Sequence, residues 1–149
     1  MVKKIYNVVL QSDIGNGTTT SNETFFYDWT QIPDVPYYVT FTFASAVVAL
    51  TSTGQVASLY IDLSQPYNRL ATAQSSGLIA YKGQFLGNLL YGLVGANNYV
   101  YAENNTNPPT YLNGRPRSNN FTVGIFSIPT TEYTPVVGLY SLILSFQEC

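Results

Sequence analysis

Along almost the whole chain, hydrophobic residues recur at every second position. Tyr6, Val8 and Leu10 begin the pattern, Phe25, Tyr27 and Trp29 continue it, and Tyr37, Val39, Phe41 and Phe43 follow. Ala57, Leu59, Ile61 and Leu63 repeat it, as do Phe121, Val123 and Ile125, and lastly Tyr140, Leu142, Leu144 and Phe146. Successive side chains of a strand point to opposite faces, so each set shares one face and turns it toward a core. The apolar run "FLGNLLYGLVG" (85–95) and the segment "NYVYAE" (98–103) supply further strands, which brings the expected number to about eight.

The separators are "SDIGNGTTTSN", "TQIPDVP", "TSTGQ", "ATAQSSG", "NPPTYLNGRPRSNN" and "IPTTEYTPVVG". Their Gly, Pro, Asn and Ser accept positive φ, fix φ, or hydrogen-bond their own backbone, which makes these segments turns. The best helical segment is "SQPYNRLATAQ", with Ser64 placed to cap and Pro66 in the first turn, two or three turns at most. Without repeats or a linker, the pattern predicts one all-β domain over residues 1–149: a single jelly-roll sandwich of antiparallel strands in two sheets. Its core is expected to be led by Val8, Leu10, Phe41, Phe43, Leu59, Ile61, Val123, Ile125, Leu142, Leu144 and Phe146.

Composition changes the picture in one respect. Charged residues are only 9% of the 149, against about 25% in an average soluble domain. A surface with so few charges is expected to meet other protein, and the 13 tyrosines agree, because Tyr buries its ring at interfaces while its hydroxyl finds a partner. The net charge of −2 and the absence of any basic run longer than Lys3-Lys4 argue against nucleic acid. The N-terminus alternates like a strand rather than reading as a signal peptide. No apolar run approaches the ~20 residues that span a bilayer as a helix. One cysteine, Cys149, leaves no intrachain disulfide, so folding does not need an oxidising compartment. Asn16, Asn22, Asn104 and Asn120 fit the N-glycosylation pattern, which Asn- and Thr-rich composition explains by chance.

The chain has no histidine. That removes Ser-His and Cys-His nucleophiles and His-ligated zinc. Glu23, Asp28, Asp62 and Glu103 could supply a carboxylate pair, but scattered acids predict no enzyme. Asp28 is expected on the outward face of a strand, and Asp13 with Asn16 in a plain turn rather than around calcium. No catalytic residue, cofactor site or metal site is predicted. Trp29 has two readings, a core residue or an exposed ring that stacks on a sugar or a neighbouring chain. "NPPTYLNGRP" reads as a stiff connector, since Pro108 and Pro109 cannot join a ladder, Gly114 permits a turn and Pro116 fixes the approach to the next strand. Arg115 and Arg117 flank that last proline, where guanidinium groups could reach a carboxylate of a neighbouring subunit. Arg115, Arg117, Tyr111 and Trp29 are therefore the candidate contacts between subunits.

Three segments, "YNVVLQSDIGNGTTTSNETFFYDWTQIPDVPYYVTFTF", "NPPTYLNGRPRSNNFTVGIF" and "YTPVVGLYSLILSFQE", give the chain a family likeness. In pattern and order it resembles the small single-jelly-roll capsid proteins of large double-stranded DNA viruses of eukaryotes. The resemblance implies a structural role in an icosahedral shell. Such a chain is either a penton protein at the five-fold vertices or a minor capsid protein that cements the major capsomers. It is too short for the double jelly roll of a major capsid protein. Its partners would be further copies of itself and other capsid proteins, its place the virion, and its assembly site the host cytoplasm. No catalytic residues come with the resemblance. The alternative reading is a binding β-sandwich, for a receptor or a carbohydrate, which requires Trp29 and tyrosines on one exposed face.

Overall fold

The structure is a computed structural model that describes residues 2–12, 22–49, 56–61, 63, 84–94, 97–103, 107–128 and 136–149. Among them the strands are β1 (Ile5–Gln11), β2 (Asn22–Phe26), β3 (Tyr37–Ala49), β4 (Val56–Ile61), β5 (Gln84–Val94), β6 (Asn97–Ala102), β7 (Thr110–Leu112), β8 (Asn120–Ile128) and β9 (Val136–Glu148). The only helical element described is a 3-10 turn, Trp29–Gln31.

The all-β sandwich predicted by the alternation is what forms, and its pairing is nested. The chain doubles back so that β1 lies against β9, β2 against β8, β3 against β6 and β4 against β5, all antiparallel. A second set of pairings, β9 with β3 and β8 with β4, winds this long hairpin into two layers. One layer is β1-β9-β3-β6 and the other β2-β8-β4-β5. With 11 residues, β5 is long enough to serve both: its first half pairs with β4 and its last five residues, from Leu90, pair with β6. The strands therefore follow one continuous path that ends in β1 on one side and β2 on the other. Among the described residues the sandwich is closed through β5 and β6, and no strand pairs β1 with β2.

Each of the eleven leading core residues named from the alternation is buried, at 4% exposure or less. They form one cluster with Trp29, Ile32, Tyr37, Val39, Leu63, Leu86, Leu89, Leu112, Phe121 and Tyr140. Strand β9 lies at its centre, with Leu144 opposite Val8 on one side and Phe41 on the other.

Two local expectations need revision. The connector after β6 holds a strand of its own, because Thr110–Leu112 pairs with the start of β3 and buries Leu112 completely. Pro108 and Pro109 stop just before this ladder, as their missing N–H groups require. Asp28 does not lie on a strand. The alternation through Tyr27 and Trp29 outlasts β2, which ends at Phe26, and Asp28 instead caps the 3-10 turn by accepting from the Thr30 N–H at 3.1 Å and its hydroxyl at 2.6 Å. The helical candidate "SQPYNRLATAQ" falls outside the described residues.

Near the point where β5 changes partner, a side chain stands in for a strand. The Asn88 N–H donates to Oδ1 of Asn107 at 2.9 Å, and Nδ2 of Asn107 donates to the Asn88 carbonyl at 3.0 Å. Gly87 makes the room, since a Cβ there would lie 2.5 Å from the Asn107 amide.

Two outcomes follow. Gly87→Ala should force Asn107 out of both hydrogen bonds and cost about 1–3 kcal/mol, read as a lower denaturation midpoint with an unchanged m-value. Leu144→Asp should yield no folded soluble protein, because an unpaired core carboxylate costs several kcal/mol of a total stability of roughly 5–15. A cooperative melt near that of the parent would refute the second.

Candidate interaction surface

The register of the first layer sets the makeup of its outer face. Odd residues of β1, odd residues from Leu139 to Gln147 of β9 and even residues from Tyr38 to Ala44 of β3 point outward, because their neighbours in sequence are the buried set. Across the sheet, Val9, Ile143 and Thr42 form one row and Asn7, Ser145 and Thr40 the next. Ile5, Gln147, Tyr38 and Tyr111 form a third, and Gln11, Ser141, Ala44 and Tyr101 a fourth. No position in these rows is charged. Ile5 and Val9 are more than half exposed, and Tyr38, Tyr111 and Leu139 nearly half or more. Polar positions are tied into the face, as where the Ser145 hydroxyl donates to Oδ1 of Asn7 at 2.8 Å.

Among the described residues, seven charged side chains lie toward one end of the sandwich, while Glu23 in β2 and Glu103 after β6 lie elsewhere. Lys3 and Lys4 precede β1, Glu148 ends β9, and Asp28, Asp34, Arg115 and Arg117 lie in the adjoining loops. Here the predicted arginines find partners within the chain. Asp34 accepts from the Arg115 N–H at 3.2 Å and from the Arg117 guanidinium at 3.1 Å, while the Arg115 guanidinium donates to the Ile32 carbonyl at 3.1 Å. Within the chain, Asp34 and the Ile32 carbonyl therefore occupy the two arginines that were candidates for a neighbouring subunit, and Arg117 keeps 60% of its side chain exposed. The carboxylate they approach is Asp34, and the contact staples the loop before β3 to the connector after β7. Gly114 is essential to that turn, with φ of +127° and a would-be Cβ 2.9 Å from Asp34. The Arg115 N–H is the largest influence holding the Asp34 carboxyl below its usual pKa, with Arg117 adding to it against a smaller opposing effect of burial.

Trp29 is not a surface contact. It is 1% exposed, its Nε1 donates to the Ser118 carbonyl at 3.0 Å, and its ring packs among Tyr27, Phe121 and Phe146 at centroid distances of 4.7, 5.3 and 5.4 Å. Of the four predicted contacts, only Tyr111 lies on the uncharged face, edge-on to Tyr38 at 5.7 Å. Burial of the core reading explains Trp29; the sheet register explains Tyr111. Sequence reasoning missed Asp34, whose only local signal is its place between two prolines in "IPDVP", and Asn107, which opens the connector.

Among the described residues no group of three His, Cys, Asp or Glu side chains could hold a metal ion. Asp13, Asn16, Asp62 and Asn104 lie outside those residues, and Asn120 is exposed at the start of β8. Cys149 is exposed, and its N–H donates to the Pro36 carbonyl at 3.2 Å. No family model and no curated protein matches the chain.

The staple has a pH signature. A carboxyl whose folded pKa is depressed stabilises above the ordinary Asp value, about 3.9, and loses that contribution as pH falls through the folded pKa. Asp34→Asn should therefore lower the melting temperature slightly at neutral pH, and the gap to the parent should narrow in thermal melts as pH falls below the ordinary Asp value. A gap that persists unchanged into acid would remove the charge from the account.

Proposed function

We propose that this protein is a structural subunit of an icosahedral virus shell, of the single-jelly-roll kind, and that it closes the five-fold vertices. The observation that carries this reading is the broad outer face of β1, β9 and β3, without a charge and with exposed Ile5, Val9, Tyr38 and Tyr111. A face of this makeup has the aromatic enrichment and charge depletion of an interface core. The nested strand order supports the reading too, because a long hairpin wound into two four-stranded layers is how a jelly roll is built. The sequence likeness to small capsid proteins points the same way.

In this reading the work of the chain is packing, with other copies of itself and with neighbouring capsid proteins in the virion. Five copies would close through head-to-tail contacts, each giving one surface and receiving another. The burial of Trp29 counts against the sugar-binding alternative, which needs that ring exposed.

Light scattering after size exclusion, across a concentration range, tests the assignment. A closed ring would have five times the chain mass of 16.4 kDa. A monomer that precipitates on concentration would move the role to a cement protein between or beneath major capsomers, and a highly soluble monomer would overturn the shell reading. Within an assembly, Tyr111→Lys should weaken association by about tenfold or more, since a charge would be desolvated at the contact, with the melting temperature of the isolated chain nearly unchanged.

A further inference from the structure

We infer that the free edge of β1 is a self-association site, at which β1 of a second copy pairs antiparallel to it about a two-fold axis centred on Val8. This goes beyond the vertex role and does not rest on it.

The backbone geometry comes first. At one end of β1 the Glu148 N–H donates to the Lys4 carbonyl, and just past the other end the Ser12 N–H donates to the Tyr140 carbonyl. Between them the register with β9 is unbroken from Ile5 to Gln11. In an antiparallel pair, hydrogen-bonded and non-bonded positions alternate. The even residues Tyr6, Val8 and Leu10 therefore bond to β9. Ile5, Asn7, Val9 and Gln11 turn their N–H and C=O groups the other way.

On that other side, among the described residues, no strand pairs with β1, which is the end of the strand path. The four odd residues are also the ones whose side chains are exposed. An edge strand is normally blunted by proline, a bulge, an inward charge or shortness. β1 has seven residues with no proline, no glycine, no charge and no bulge.

A second copy of β1 fits this edge in a specific register. With the axis at Val8, Ile5 faces Gln11 of the copy and Asn7 faces its Val9, so every outward backbone group of the strand meets a counterpart in about eight hydrogen bonds. Charge selects the direction. Lys3 and Lys4 precede the strand, so a parallel alignment would stack lysine on lysine. The antiparallel one separates the two Lys4 positions by roughly 27 Å at ~3.4 Å per residue. Pairing also joins the two uncharged outer faces into one continuous surface. Ser, Thr, Asn and Gln on that surface both donate and accept, so like meets like without conflict.

Two variants test the site in solution. Val9→Pro removes an N–H that points away from β9, a place where an edge strand tolerates proline. Val9→Lys keeps the backbone and brings two lysines to diagonal positions across the axis, about 7–8 Å apart. The parent chain should self-associate with rising concentration in sedimentation velocity, and the amides of Ile5, Asn7, Val9 and Gln11 should gain protection from hydrogen exchange as it does. Both variants should weaken that association about tenfold or more and abolish the concentration-dependent protection. Should Val9→Pro fail to fold, Val9→Lys decides alone.

A monomer at every concentration would overturn the inference, as would association that both variants leave unchanged. A pentamer indifferent to both would uphold the vertex role while removing this site. Amide protection confined to these four residues, in a dimer without any five-fold mass, would do the reverse.

Discussion

Everything in this molecule depends on the register of β9. It lies between β1 and β3 and holds Leu142, Leu144 and Phe146, each fully buried, against inward residues of both neighbours. Because side chains alternate with a period of two, a slip of one residue would turn these three out to solvent and bring Ser141, Ile143 and Ser145 inward. No compromise register exists. Exposing three large apolar side chains at about 1.5–3 kcal/mol each and burying two serines would cost an amount comparable to the whole ~5–15 kcal/mol by which a domain is stable.

The same register composes the outer surface. By sending Ile143, Ser145 and Gln147 outward beside Val9, Asn7 and Ile5, it builds a face without charges on one layer. Among the described residues, several charges lie where β1 and β3 begin and β9 ends, and there some of them stitch loops rather than coat a sheet. Asp34 draws Arg115 and Arg117 together, and Glu148 accepts from the Tyr6 hydroxyl at 3.1 Å. The exposed apolar residues of the outer face and the edge beside it are the observations on which the proposed assembly role rests.

Pairing order has a further consequence. A hairpin wound so that its first and last strands are neighbours must still start and stop somewhere, and here the path stops at β1 and β2. A fully closed barrel would have abolished both edges. Among the described residues the sandwich stays open and keeps both edges, and the proposed pairing between copies would act at one of them.

The sequence by itself determined what alternation can encode: the strands, the identity of the buried set, the all-β class, and the shortage of charge that points to protein partners. These properties are local or compositional, and a period of two is legible without knowing which strand lies beside which. The limits of that legibility fall where contacts are distant. Asp34 and Arg117 are 83 positions apart, Asn107 reaches back to β5, and Leu112 makes a strand only because β3 offers its edge. Trp29 had two readings in the sequence, and the packing of Phe121 and Phe146 around it selected the core. Only the tertiary structure decided these, because a hydrogen bond or a ring contact between distant residues exists once the strands have paired and leaves no periodic trace in the chain beforehand.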